Sequence, residues 1–200
     1  MIVLDVETTG LDASKYSILS LGALDLNEPT NQFYEECRAW DGAAVSDEAL
    51  AVNGFTREDA ADASRKTEAE LIKAFCAWAT DKPANRTLAS QNIAFDRAFV
   101  ESACVRAGIE FPFAHRTIDT HTLVWLHMTR RGIAPPERNQ HSGISLTYAL
   151  EYVGLPEEPK PHNGLTGAYC HAEIIARIAY NKKLLDDFSH YDIPWIQNET

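Results

Sequence analysis

Two hundred residues, 45% of them hydrophobic, suffice for one well-buried globular domain. A net charge of −11 excludes a generic polyanion-binding surface, which needs a basic footprint, so any nucleic-acid contact has to be local. Cys37, Cys76, Cys104 and Cys170 form no C-x-x-C pair, the amino terminus shows no basic segment leading into an apolar one, and no apolar run is long enough to span a bilayer; the expectation is free thiols in a soluble, cytoplasmic chain without membrane contact.

The first element, Ile2-Val3-Leu4-Asp5-Val6-Glu7-Thr8, reads as a buried strand interrupted by two carboxylates. Side chains alternate faces along a strand, so Asp5 and Glu7 point the same way. Crowded carboxylates raise one another's pKa unless something compensates, and a hard cation such as Mg²⁺ or Mn²⁺ is the usual remedy. Taken alone, such a pair is more often a strand end or solvated edge than a metal site. Residues 17–26 and 32–40 read as two further strands, separated by turns rich in Gly, Asp, Asn and Pro.

From Thr67 the period becomes helical, with Leu71, Phe75 and Trp78 on one face and acids in the first turn. Residues 86–90 suggest a returning strand. The spacing then predicts a helix from about Phe95 to Arg106, with Asn92 as its N-cap and Asp96 off the Phe95/Phe99 core face. Helical patterns also fit 119–128, 144–153 and 163–181. Between them, residues 129–141 form the one long loop, whose Arg130, Arg131 and Arg138 either track a phosphate backbone or are simply solvated. Three hairpin-linked strands followed by strand-helix alternation predict a mixed α/β sheet with helices on its faces, in a single domain over residues 1–200.

Three motifs join across this pattern: Asp5, Glu7, Thr8, Thr9 and Gly10 on the first strand; Asn92, Phe95, Asp96 and Phe99 at the fourth; and His162 immediately before the last helix. In order, spacing and context they resemble the DEDDh 3′-to-5′ exonucleases, the DnaQ-like family of proofreading subunits and RNase T, over roughly residues 1–180. The resemblance implies an RNase H-like mixed sheet with helices on both faces. It also implies a two-metal site using Mg²⁺ or Mn²⁺, in which Asp5 bridges both ions, Glu7 helps to hold the ion carrying the attacking water, Asp96 supports the site and His162 is the general base. Thr8, Thr9, Gly10 and Leu11, with Asn92, Phe95 and Phe99, would bind the terminal nucleotide. The substrates would be single-stranded DNA or RNA 3′ ends, released as nucleoside 5′-monophosphates; protein partners stay unread.

The third motif departs from the family pattern. It reads His162-Asn163-Gly164-Leu165-Thr166-Gly167-Ala168, so Gly167 stands where the family has its last carboxylate. One ion should then be weakened and turnover impaired. Three accounts of Gly167 stay open: a loss-of-function change, a substitute ligand, or a catalytically silent nucleic-acid-end-binding or interaction module on the same fold. His171 lies one turn, about 5.4 Å of rise, further along the same helical face, whereas Glu173 points elsewhere. A small-molecule phosphoesterase is a further reading. Gly164 and Gly167 weaken the helix start by roughly 1 kcal/mol each relative to alanine, yet their spacing lets a helix approach a sheet closely.

Overall fold

The computed structural model describes residues 1–81 and 85–196 and places β1 (Ile2–Thr8) at the centre of a five-stranded sheet of order β3-β2-β1-β4-β5. On one side β2 (Ile18–Asp25) and β3 (Glu28–Glu36) continue it as an antiparallel meander. After the short helices α1 (Asp47–Asn53) and α2 (Arg57–Ala61) and the longer α3 (Glu68–Asp81), β4 (Leu88–Ser90) returns parallel to β1. The next helix, α4 (Ala94–Arg106), leads to β5 (Ile118–Asp119), parallel to β4, and α5 (Thr120–Arg130). A small hairpin of β6 (Glu137–Arg138) and β7 (His141–Ser142), α6 (Leu146–Tyr152) and α7 (Gly164–Tyr180) complete the chain's main elements.

The two faces of β1 explain its sequence. Ile2, Leu4 and Val6 enter a core with Leu71, Ile72 and Phe75 of α3 and Phe99, Val100 and Ala103 of α4. Val3 faces the other way, onto Ala168, Ala172 and Ile175 of α7. Strict alternation therefore puts Asp5 and Glu7 on the α7 side. Leu4 is fully buried, and emptying such a site typically costs 2–5 kcal/mol, so the position of β1 is strongly held.

Glycine sets how closely α7 lies on the sheet. A Cβ on Gly164 would come within 2.7 Å of Gly22 N and 3.0 Å of Asp5 O, so the helix start rests against strand backbone. Asn163 caps this end, its side chain accepting from Leu165 N and Thr166 N. The close-approach reading of the glycine spacing holds.

Several boundaries differ from the sequence expectation. The third strand begins at Glu28 and ends at Glu36 rather than spanning 32–40, because the chain reverses over Leu26 and Asn27; Pro29 is accommodated since β3 is an edge. Helices α1 and α2 carry no periodic signal in the sequence, since seven and five residues are too few to display one, although Ser46 and a Thr56/Asp59 capping box start them. The expected loop at 129–141 starts within α5, which runs to Arg130, and carries the β6–β7 hairpin, which ends at Ser142. Asn92 is not the N-cap: it adopts φ 55°, and Ile93 takes the cap position with no side-chain bond. No helix among the described residues is long and apolar enough to cross a membrane.

Candidate active site

The site forms where β1 outruns β4. Their pairing covers only Ile2 and Val3, and beyond it the Val6 N–H turns to a side chain, donating to Asp96 Oδ1 at 3.2 Å. Ser90 Oγ, at the end of β4, donates to Asp96 Oδ2 at 2.6 Å. Asp96 in the first turn of α4 is consequently 3% exposed and fixed against the central strand. Burial and the nearby Asp5 charge push its pKa up to about 7, against the lowering effect of the Ser90 and Val6 bonds.

Asp5 and Glu7 face α7, as the strand period requires. One Asp5 oxygen lies 3.3 Å from His171 Nε2, and the carboxylate occupies the space beside Gly167 that a side chain there would need. Burial first, and the Glu158 charge second, hold Asp5 well above the ordinary carboxylate range. Glu7 is pushed up to about 9 by burial and by Asp5, Glu158 and Asp96, partly opposed by the neighbouring Asn53 side chain. Asn53 belongs to the end of α1, where its Nδ2 donates to Thr8 O at 3.0 Å.

His162 stands at the rim, its side chain 31% exposed, with Nδ1 3.6 Å from Glu158 Oε2. Its backbone N–H donates to Val52 O, which ties the loop before α7 to α1. Together with Asn53 and Gly54 it lines an open cleft of about 280 Å³. Glu158 is far less exposed, at 6%, and accepts from Thr166 Oγ1 at 2.9 Å.

The residues expected to bind a nucleotide divide into two groups. Leu11 is 84% exposed and, with Gly10 and the half-exposed Val52, lines a largely apolar cleft of about 380 Å³. Thr8 and Thr9 are buried in the turn: Thr8 Oγ1 donates to Gly10 O, and Thr9 Oγ1 donates to Ala44 O while accepting from Ser17 N. Phe99 is fully buried against Phe95, at 4.8 Å between ring centroids, so it holds α4 to the core and cannot touch a substrate. Asn92 supplies a left-handed turn ahead of α4, its N–H donating to Asp119 Oδ1.

Sequence reasoning missed Glu158, Asn53 and Ser90, and placed His171 a turn away from the acids. Glu158 sits in Leu155-Pro156-Glu157-Glu158-Pro159, a stretch with no period to read. Asn53 ends a helix that was not anticipated. Rise along α7 alone sets His171 one turn beyond Gly167, yet its ring spans the gap to Asp5. Glu173 does point elsewhere, pairing with the buried Arg177 at 2.8 Å.

The donor set fits a hard divalent cation by its chemistry: it is built of carboxylate oxygens that hinder one another's ionisation. Among the described residues, however, no three His, Cys, Asp or Glu side chains converge as a ready ligand set. Asp5 is drawn to His171, Asp96 to Ser90 and Val6, and Glu7 to Asn53. Ligation therefore needs side-chain rotation, Asp5 above all.

A family model described as exonuclease, RNase T, matches residues 2–175. The chain belongs to the RNase T exonuclease family. Ribonuclease T of Yersinia pseudotuberculosis is 31% identical over 140 residues, a match covering 61% of this chain and 63% of that protein, just under two thirds of its length. Among solved structures, the nuclease domain of 3′hExo, a DEDDh family member bound to rAMP, superposes with a TM-score of 0.68 at 18% identity over 92% of this chain and 93% of that one. E. coli Exonuclease I in complex with a 5cy-dT13 oligonucleotide gives 0.71 at 15% identity, over 90% and 40%. The exonuclease-family chain thus has the expected RNase H-like α/β fold, and its family generally uses divalent metals.

Proposed function

We propose that this chain is a divalent-metal-dependent 3′-to-5′ exonuclease that acts on single-stranded DNA or RNA 3′ ends and releases nucleoside 5′-monophosphates. One observation carries the reading. Asp96, 90 residues further along the chain, is bonded to the Val6 N–H between Asp5 and Glu7 on β1, and the three charges act on one another. Mutual repulsion of this kind is relieved by Mg²⁺ or Mn²⁺, which these three residues would hold. When bound, such cations activate the attacking water and offset charge on the phosphodiester.

The chain's own groups do the rest. His162 accepts the proton of the attacking water: its Nδ1 faces Glu158, which leaves Nε2 for that task. The apolar cleft of Leu11 and Val52 seats the terminal base, while Asn53 steadies Glu7. Gly167 removes one anionic arm; misplacing the water by about 1 Å costs on the order of 10²-fold in rate, so turnover is lowered. The whole described chain acts as one exonuclease domain.

The test is digestion of 5′-labelled DNA and RNA oligonucleotides with Mn²⁺, with Mg²⁺ and with chelator, using Asp5→Asn as control and mass spectrometry of the products. A ladder shortening from the 3′ end and nucleoside 5′-monophosphates, both lost in Asp5→Asn, are expected. Tight 3′-end binding without shortening overturns the proposal in favour of a silent binding module.

A further inference from the structure

Gly167 leaves the acidic site one arm short, and the fold brings another acid to the same end of α7. Glu158, nine residues earlier in sequence, lies almost wholly inside, with its side chain 6% exposed. Its Oε1 accepts from Thr166 Oγ1, on the residue immediately before Gly167, at 2.9 Å, and its Oε2 lies 3.6 Å from His162 Nδ1. The carboxylate is thus held against the first turn of α7, between the proposed proton acceptor His162 and Thr166. Its charge acts on Asp5, Glu7 and His171.

Two further observations point to a cation. Among the described residues no Lys or Arg pairs with Asp5, Glu7, Asp96 or Glu158; the ion-pair partners of this group are His171 and His162 alone. Secondly, the volume beside Gly167 is filled by Asp5 itself, whose Cγ would lie 2.6 Å from a Cβ at 167. A carboxylate on 167 and Asp5 in its present place exclude one another, whereas Glu158 belongs to the loop before α7. An anion near a helix N-terminus also benefits from the helix dipole, which offers a purely structural role for Glu158.

We propose that Glu158 is a metal-ligating carboxylate that takes the place of the acid missing at Gly167 and helps to hold a divalent cation with Asp5 and Glu7. The inference rests on the metal-dependent reading above. It makes Gly167 a relocated ligand rather than a simple loss, with a longer arm from a loop in place of a short one from the helix. The longer arm has more rotamers to order, so the cation is held more weakly than by a helix-borne acid.

Mn²⁺ binding to the full chain, followed by the loss of the free-ion electron paramagnetic resonance signal, tests this without any need for turnover. Glu158→Gln keeps an acceptor for Thr166 and should preserve the fold while weakening Mn²⁺ affinity at least about 10-fold. The double variant Glu158→Gln/Gly167→Asp should recover it. Thr166→Val, which frees the arm and leaves its charge, should weaken affinity by a smaller factor. If Mn²⁺ binds the parent, is lost in Asp5→Asn and is unchanged in Glu158→Gln, the Glu158 assignment is wrong and the metal-dependent reading survives. A melting temperature that falls in Glu158→Gln at unaltered Mn²⁺ affinity would likewise mark a structural anion only. A parent chain that binds no Mn²⁺ and shortens no oligonucleotide overturns both.

Discussion

The Asp5 carboxylate lies where a side chain on Gly167 would be, with Cγ 2.6 Å from an ideal Cβ there and one oxygen 3.3 Å from His171 Nε2. Strand and helix are packed so tightly that the absent side chain has been replaced by a neighbour's. Gly167→Ala therefore has two opposed effects. Alanine improves the helix by about 1 kcal/mol, but its methyl group must displace Asp5 from His171. We expect chelated protein to change in stability by no more than about 1 kcal/mol, while the His171 ring resonances move; unshifted His171 resonances in the variant would contradict the packing.

Gly22 behaves differently, since a Cβ there meets the backbone of Gly164 and Leu165 rather than a movable side chain. Gly22→Ala should destabilise the protein by about 1–3 kcal/mol in urea unfolding, the usual range for overpacking, even though alanine costs less chain entropy in a strand. An unchanged midpoint would mean that α7 can lift from the sheet freely.

Asp96 sets a pH dependence whose sign is opposite to that of an ordinary paired carboxylate. Its pKa rises from 3.8 to about 7 on folding, chiefly through burial, so between these values the native state binds more protons than the unfolded state. Stability then falls with increasing pH: the contribution is complete below about 3.8 and is lost as the pH passes about 7. In chelator, the melting temperature of Asp96→Asn should decline less steeply than the parent's between about pH 4 and 7. Parallel curves would show that Asp96 ionises in the fold as easily as in the open chain.

Arg177 is buried in α7, pairing with Glu173 and donating to the carbonyls of Val153, Phe188, Tyr191 and Asp192. Glu173 in turn accepts from Leu184 N and Leu185 N. Removing one member of a buried pair typically costs 3–5 kcal/mol. Apolar replacement of both often restores stability, but here six backbone groups would lose their partners, so Glu173→Leu/Arg177→Met should remain as unstable as Arg177→Met. Calorimetry of the single and double variants decides it.

A divalent cation should stabilise the folded chain by mass action, by about 2.7 kcal/mol at a hundred times its dissociation constant. The melting temperature should rise with added Mn²⁺ in the parent and stay flat in Asp5→Asn. A rise of equal size in both would place the cation elsewhere on this acidic molecule.

Much of the site was legible because its signals are local. Asp5 and Glu7 share a face by the two-residue period of a strand, and Phe95, Phe99 and Ala103 mark α4 by the helical one, so a mixed α/β sheet followed from period, while the RNase H-like class came from the family resemblance of the motifs. Asp96 could be named but not placed: its burial depends on β4 ending at Ser90 and leaving Val6 N–H for it to accept. Phe99 carried a motif position and turned out to be core, since one repeat serves both packing and motif.

The sequence by itself determined that two carboxylates stand on a buried strand, that a third and a histidine follow in a recognisable order, and that Gly167 breaks the pattern. These are facts of residue type and short-range period. Only the tertiary structure decided that Asp5 fills the space at Gly167, that His171 reaches it, and that Glu158 is folded against Thr166 and His162. Those contacts join segments up to 166 residues apart, and their distances depend on how closely Gly22 and Gly164 let α7 settle on the sheet.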